Sequence, residues 1–334
     1  MSALTDPLLV GGLRLPNRVV LAPLAGIGNW FVRLQARRFG AGLVVSEMVS
    51  SHAVHYRNEK TCRELLRIDP REKDGGGPVS IQLFGSDPDV MRSAAETVAA
   101  AGADLIDINM GCPVPKVCKT GAGAALLADP SRAVAVARAA AEGSGLPVTV
   151  KLRSGLRAGE RSGFELARRL CADAGVAAVT LHPRPATVQH RGEPDYALVA
   201  ELVASVETPV LLTGGMSSAE AVQEAFEQTG AAGVMLARGV LGNPWLFEQV
   251  LGAREEPPSA GEVLAELDWV IECAIEHIGE ERAVRYLRRF HPWYVERLEL
   301  DRATAKSLQS ALQTAESFAA VRALLDEALR PQYA

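Results

Sequence analysis

Short apolar and β-branched runs recur along the chain to about residue 240, each followed by a longer stretch with a 3.6-residue apolar period. Eight such runs stand at 18–23, 42–48, 78–84, 105–111, 148–153, 178–183, 209–215 and 233–239. All are short for a buried helix, so strands are predicted. Between them, 88–101 carries Val90, Ala94, Val98 and Ala101 on one helical face, and 130–141, 163–174 and 217–229 show similar faces. Asp87-Pro88 and Asp129-Pro130 read as N-caps with Pro at the first helical position, and Ser217-Ser218 as a third cap. Eight strand-helix alternations with no second sheet predict an α/β fold, a (β/α)8 TIM barrel. A doubly wound sheet would need a Gly-x-Gly-x-x-Gly turn after its first strand, which is missing here.

After residue 251 the pattern changes. Residues 254–258 read as a linker and 260–329 as helix throughout, which predicts a barrel over 1–250 and a helical domain over 259–334. With 35 Lys and Arg against 40 Asp and Glu the chain carries −5, which excludes a polybasic nucleic-acid coat. Its 334 residues are 48% hydrophobic, enough for a sizeable core. The five cysteines form no Cys-x-x-Cys pair and have no His at zinc-ligand spacing, so no metal is expected. Their odd number and a start without a leader pattern predict a cytoplasmic protein, and no apolar run is long enough to span a membrane.

In such a barrel the chemistry gathers at the C-terminal ends of the strands. There the chain carries Pro23-Leu24-Ala25-Gly26, Gln82, Asn109, Cys112, Lys151, Arg153, His182, Arg184, Thr213-Gly214-Gly215 and Ala237-Arg238. Gln82, Asn109, Lys151 and His182 interrupt apolar strands, a costly placement that points to a polar ligand. Gln and Asn pair with the edge of a heterocycle, and Lys151 stabilises charge developing on it. The Gly-rich turns of strands seven and eight, with Arg238, suit a phosphate. A central ring with a phosphate at those turns is the layout of flavin mononucleotide, FMN. Cys112 opens a Gly-rich lid loop with Lys116 and Lys119; a thiol of ordinary pKa, about 8.5, is protonated at neutral pH and can act as a general acid. Cys118 lies in the same loop, Cys171 and Cys273 lie on helical faces, and Cys62 has no evident role.

These residues resemble the flavin-dependent tRNA-dihydrouridine synthases, most closely the bacterial B-type branch. The resemblance rests on LAPLAG at 21–26, GAGLVVSEMVSS at 40–51, IQLFGSDP at 81–88, GADLIDINMGCPVPKVCKTGAGAALL at 102–127, VTVKLRSG at 148–155 and RGVLGNPWLF at 238–247. It implies FMN over Leu24, Ala25 and Gly26, with Gln82 and Lys151 at the ring edge, His182 nearby and phosphate at the Thr213-Gly214-Gly215 and Ala237-Arg238 turns. It implies NADPH as reductant, Cys112 as proton donor and Asn109 beside the substrate base. Three departures stand out. The family usually has Asn-Gly-Asp at 213–215, Gly-Arg at 237–238 and a second Arg where this chain has Ala186.

A tRNA substrate demands a basic grip. Arg285, Arg288 and Arg289 fall at helical spacing in the tail, flanked by Arg282 and His291 and followed by Trp293 and Tyr294. Lys116, Lys119, Arg153 and Arg184 are candidates to extend that surface. No obligate protein partner and a monomer are expected. The rival readings are a flavin barrel that reduces a free pyrimidine or similar small enone, and an RNA-binding barrel without turnover.

Overall fold

The computed structural model describes residues 3–74 and 77–330. The chain opens with a hairpin, β1 (Leu8–Val10) antiparallel to β2 (Leu13–Leu15), which the hydrophobic pattern did not predict. Strands of three residues are too short to show a period. Eight parallel strands follow: β3 (Val19–Leu21), β4 (Leu43–Ser50), β5 (Val79–Phe84), β6 (Leu105–Met110), β7 (Val148–Arg153), β8 (Ala178–His182), β9 (Val210–Thr213) and β10 (Gly233–Leu236). They pair in chain order and β10 pairs back onto β3, closing the barrel. Seven of the predicted runs contain one of these strands, and β4 begins inside the run at 42–48 and continues two residues past it.

Between them lie α1 (Trp30–Arg38), α2 (Ser51–His55), α3 (Pro88–Ala100), α4 (Pro115–Cys118), α5 (Pro130–Ser144), α6 (Ser162–Arg169), α7 (Tyr196–Ser205) and α8 (Ala219–Thr229). The Asp87 carboxylate accepts from the N–H groups of Asp89 and Val90, and Asp129 accepts from that of Arg132, each just before the Pro that opens its helix. On α3 the buried residues are Met91, Ala94, Ala95 and Val98, so the inner face is rotated from the expected one and Val90 and Ala101 fall outside it. The predicted helix at 163–174 is α6 continued by a π-helical turn, Leu170–Ala174.

Along each strand, alternate residues face the barrel interior. Val20 and Ala22, Leu43 and Val45, Leu105, Ala178, Leu211 and Met235 form one apolar cluster with Leu8, Val10 and Leu15 of the hairpin. The hairpin thereby plugs the N-terminal end of the barrel. Steps of two along the same faces lead to Asp107 and Asn109, Thr180 and His182, and Thr213. The interior therefore grades from apolar to polar in the chain direction.

The loop after α2 is fastened to α1 by a buried ion pair. Arg33, 1% exposed, reaches Glu72, 0% exposed, through Nε at 2.6 Å and Nη2 at 3.0 Å. The same guanidinium donates to the carbonyls of Gly28 at 3.2 Å and Arg67 at 2.7 Å. Burial pushes the Glu72 carboxyl up and Arg33 pulls it down. Beside it Asp69 bonds Arg71 and Arg67, which holds its carboxyl at about 2. Those two guanidiniums lie 4.8 and 4.4 Å from the Trp30 ring centre.

The chain divides into two compact units, Met1–Arg238 and Gly239–Ala334. The division lies upstream of residue 250, so α9 (Trp245–Val250) groups with the tail rather than with the barrel. The second unit continues with α10 (Ala260–Ile278), α11 (Glu280–Leu287), α12 (His291–Val295), α13 (Arg302–Thr314) and α14 (Phe318–Leu329), with no strand among its described residues. Ser259 and Glu262 form a capping box that starts α10. No described helix is long and apolar enough to cross a membrane.

Removing one partner of a buried ion pair strands the other charge. Glu72→Ala is therefore expected to destabilise the barrel by about 3–5 kcal/mol, read as a lower midpoint in chemical denaturation. An unchanged midpoint would show that Arg33 finds other compensation.

Candidate active site

Register places Gln82 of β5 beside Asp107 of β6, and Asp107 beside Thr149 of β7. Asp107 is buried, and both of its oxygens accept: Oδ2 from Gln82 Nε2 at 2.6 Å, and Oδ1 from Thr149 Oγ1 at 2.6 Å. Burial pushes this carboxyl up, against the pull of the two donors and of the Lys151 charge. Gln82 Oε1 accepts from Asn109 Nδ2 at 2.9 Å. Asn109 Oδ1 accepts from the N–H of Cys112 at 2.9 Å and of Gly111 at 3.2 Å, while Nδ2 lies 3.7 Å from Met48 Sδ. Asn109, expected beside the substrate base, is thus occupied within the protein. Gln82 keeps one N–H and one lone pair for a ligand.

Lys151 lies in register with Asn109 and Thr180, and no hydrogen bond engages its Nζ among the described residues. Burial, reinforced by Arg153, lowers its pKa to about 8 against the pull of Asp107 and Cys112. Its charge is lost as pH rises through that value. Cys112 is a half-buried free thiol whose pKa burial pushes up, opposed by the Val114 N–H and by the charges of Arg153 and Lys151. A protonated thiol is a proton donor rather than a nucleophile. Behind it the Cys112 carbonyl accepts from Ala124 N–H at 2.9 Å and from Cys118 Sγ at 3.3 Å. A Cβ on Gly123, whose φ is +61°, would lie 2.7 Å from that carbonyl oxygen, so this turn of the lid demands glycine. Lys116 and Lys119 are exposed on and just after α4.

Two expected surface cations are interior ones. Arg153, 4% exposed, donates to the carbonyls of Gly111 at 3.1 Å, Pro185 at 3.2 Å and Gln189 at 2.6 Å. Arg184, 6% exposed, donates to the Gly192 carbonyl at 2.9 Å and to His182 Nε2 at 3.3 Å. A guanidinium buried in a barrel rim needs carbonyl partners, so neither residue extends an RNA-facing surface. Because a guanidinium only donates, Nε2 of His182 must be an acceptor, which puts the ring proton on Nδ1. Burial, with Lys151, Arg153, Arg184 and His190 around it, drives the His182 pKa far below the ordinary imidazole value. His190, which the sequence did not single out, stacks on His182 with ring centres 5.9 Å apart, and burial lowers it to about 4.

The first strand end is held by Glu47, which stands at the end of the second strand and to which the sequence alone assigns no role. Its Oε2 accepts from Gly26 N–H at 2.8 Å and its own N–H donates to the Gly28 carbonyl at 3.0 Å. A break in the β4–β5 register between Val45 and Met48 marks the irregularity at Glu47. Pro23 and Gly26 are half-buried, Leu24 is buried and Ala25 is exposed in the loop so formed. At the other side Gly214 and Gly215 have φ of +102° and +88°. A Cβ on Gly214 would lie 2.5 Å from the His182 ring, and one on Gly215 2.4 Å from Tyr196 Oη. The hydroxyl of Thr213 donates to the Met235 carbonyl at 2.7 Å, tying β9 to β10. Ala237 is half-buried, and exposed Arg238 makes no ion pair among the described residues. A Gly-Gly turn whose backbone no side chain covers, with the unpaired guanidinium of Arg238 after the next strand, fits the phosphate of FMN, and the Lys151 cation with the free side of the Gln82 carboxamide fits its ring.

In the helical unit the expected basic stripe is broken. Helix α11 ends at Leu287, so Arg285, Arg288 and Arg289 do not share one helical face. Arg285 pairs with Glu281 at 3.0 Å, Arg288 donates to the Ala315 carbonyl at 3.2 Å, and Arg289 lies 4.8 Å from the Tyr286 ring centre. His291 and Tyr294 are buried, and Trp293 packs edge-on against Phe290 at 5.1 Å. Among the described residues no cluster of metal-ligating side chains occurs.

Titration of His182 is a direct check on this mouth. The neighbouring charges are all positive, so the imidazole is expected to stay neutral from pH 8 down to pH 5 with its proton on Nδ1, as read by imidazole 15N NMR. Protonation at an ordinary pKa of about 6.5 would overturn the burial and the tautomer.

Comparison with known proteins follows the same outline. Residues 20–330 match the family model described as dihydrouridine synthase (Dus). A tRNA-dihydrouridine synthase B of Pseudomonas aeruginosa is 35% identical over 296 residues, covering 86% of each chain. A probable tRNA-dihydrouridine synthase 1 of Synechocystis is 35% identical over 335 residues, covering 97% of this chain and 89% of its own. Among solved structures, morphinone reductase superposes with a TM-score of 0.57 at 18% identity, over 78% of this chain and 92% of that one. The old yellow enzyme homologue of Zymomonas mobilis does so with 0.58 at 16%, over 78% and 96%. At such identities the two structures speak for the barrel fold alone. The family match over nearly the whole chain, together with its B-type relatives, shows that this protein belongs to the dihydrouridine synthase family, in its B-type branch.

Proposed function

We propose that this chain is a tRNA-dihydrouridine synthase that binds FMN and draws its reducing equivalents from NADPH. The observation that carries the reading is Cys112, a thiol kept protonated by burial on a loop beside the unpaired Lys151, inside a family match that spans the helical unit as well. The overall change is uridine plus NADPH and a proton to dihydrouridine plus NADP. FMN, when bound, supplies the hydride that adds to C6 of the uracil ring. Leu24, Ala25 and Gly26 support the ring, Gln82 and Lys151 meet its edge with His182 nearby, and Gly214, Gly215, Ala237 and Arg238 receive the phosphate. Negative charge that develops toward C5 and O4 of the base lies in the field of Lys151, and Cys112 delivers a proton to C5. Pro23 shapes the loop, and Thr213 acts through the β9–β10 tie.

A uridine in folded RNA must be turned out of its stack to reach this mouth. We assign the backbone grip to the exposed arginines Arg282, Arg285 and Arg289 of the helical unit and to Lys116 and Lys119 of the lid. A free-pyrimidine reductase needs no such unit, whereas the relatives align across it. Five free cysteines support a reducing, cytoplasmic setting, and a monomer suffices for the chemistry.

The purified protein, incubated with FMN, NADPH and unmodified tRNA transcripts, is expected to yield dihydrouridine by mass spectrometry. Cys112→Ala should keep its flavin and the NADPH-driven bleaching but lose product formation by about 100-fold or more. Bleaching lost together with product would assign Cys112 a structural role instead. Arg282→Glu combined with Arg285→Glu and Arg289→Glu is expected to weaken tRNA binding by about tenfold or more at physiological salt, with flavin content unchanged. Equal affinity would remove these arginines from the RNA interface.

A further inference from the structure

We propose that Asp107 is a positioning residue for Cys112, acting through the carboxamides of Gln82 and Asn109. The inference rests on the reading of Cys112 as proton donor, and it concerns how the thiol is held. Asp107 and Asn109 lie two residues apart on the inner face of β6, and no hydrogen bond joins them. Their link runs sideways through β5: Asp107 Oδ2 to Gln82 Nε2 at 2.6 Å, then Gln82 Oε1 to Asn109 Nδ2 at 2.9 Å. The last step, Asn109 Oδ1 to the Cys112 N–H at 2.9 Å, reaches the start of the lid loop.

The direction of this chain is dictated from its buried end. A carboxamide has one donating and one accepting side, so its orientation follows from its neighbours. Asp107 offers oxygens on both sides, one already taken by Thr149 Oγ1 at 2.6 Å, so Gln82 must turn its NH2 inward and its carbonyl toward Asn109. Asn109 must then turn its NH2 to Gln82 and its carbonyl toward the loop. There it meets the N–H groups of both Gly111 and Cys112. Flipping either amide sets donor against donor or acceptor against acceptor at both of its ends, and each buried group left unsatisfied is costly. The carboxylate thus transmits one hydrogen-bond polarity over three links to the backbone of the proton donor. Without it, Asn109 is oriented from the loop side alone, by the two N–H groups that face its Oδ1, and the Gln82 side no longer locks it.

Alkylation of Cys112 by iodoacetamide tests this on the full flavin-bound chain without any turnover, so its outcome is independent of whether tRNA is the substrate. The rate is read by mass spectrometry of the Cys112 peptide, with Cys62 and Cys171 as internal references. Asp107→Ala and Asn109→Ala are each expected to raise the rate about tenfold, the factor one lost hydrogen bond allows. The double variant should be no faster than either single one, because both break the same chain. Asp107→Asn should stay within about twofold of the parent, since the Thr149 hydroxyl can turn to accept from the new amide and the acceptor facing Gln82 survives. Asp107→Asn with Thr149→Val keeps the shape and serves where Asp107→Ala does not fold. Its NH2 has no hydroxyl to reach, turns on Gln82 and reverses the chain, so the tenfold rise returns, while Thr149→Val alone leaves the rate unchanged. With tRNA and NADPH, the same loosened variants should lose kcat with little change in KM for tRNA. Multiplicative effects of Asp107→Ala and Asn109→Ala, or an Asp107→Asn rate equal to that of Asp107→Ala, would overturn the proposal.

Discussion

A carboxylate sealed inside a closed barrel must be met by donors, and Asp107 is met from both sides by Gln82 and Thr149. That requirement involves three adjacent strands, because each partner sits directly across the register from Asp107. A slip of one residue in β5 or β7 would turn Gln82 or Thr149 out of the interior and leave the charge alone. The mouth inherits this register. Asn109, Lys151, His182 and Arg153 stand one or two steps beyond the same layer, so their places follow from how the buried acid is satisfied.

Positive charge at that mouth is disposed of in three ways. Arg153 and Arg184 bond to backbone carbonyls, as their planar, permanently charged forks require when buried. His182 stays neutral and accepts from Arg184, a response open to an imidazole but not to a guanidinium. Lys151 has no hydrogen bond among the described residues, with a pKa lowered to about 8, and Arg238 remains exposed at the rim. Of these groups, Lys151 at the centre and Arg238 at the rim are therefore the unspent cations. This arrangement suits a ligand with a polarisable ring and an anionic tail.

The two loops over the barrel are held by different means. The segment before β5 is tied to α1 by the buried Arg33–Glu72 pair and by Arg67 and Arg71, which Asp69 bonds, over the Trp30 ring. The loop after β6 hangs instead on single hydrogen bonds around the Cys112 peptide and on a glycine that tolerates no side chain.

The barrel itself was legible in the chain because short apolar runs, Asp-Pro caps and helical periods are local signals that do not depend on distant partners. The order of polar residues at the strand ends was legible for the same reason, since period two alone sends Asp107, Asn109 and Lys151 inward. What the chain could not disclose is which neighbour each polar group meets. Arg153 and Arg184 read as surface cations until their carbonyl partners, up to 42 residues away, are in view. Glu47, a strand-end residue, had no legible role and His190 carried no signal, because their partners lie on other loops. The arginine stripe read as one face because spacing assumes an unbroken helix, and α11 ends inside it. Sequence by itself determined the fold class and the residue types at the mouth, through local periodicity. Only the tertiary structure decided which of those side chains remain free for a ligand, because a buried polar group is defined by its partners and these come from other strands.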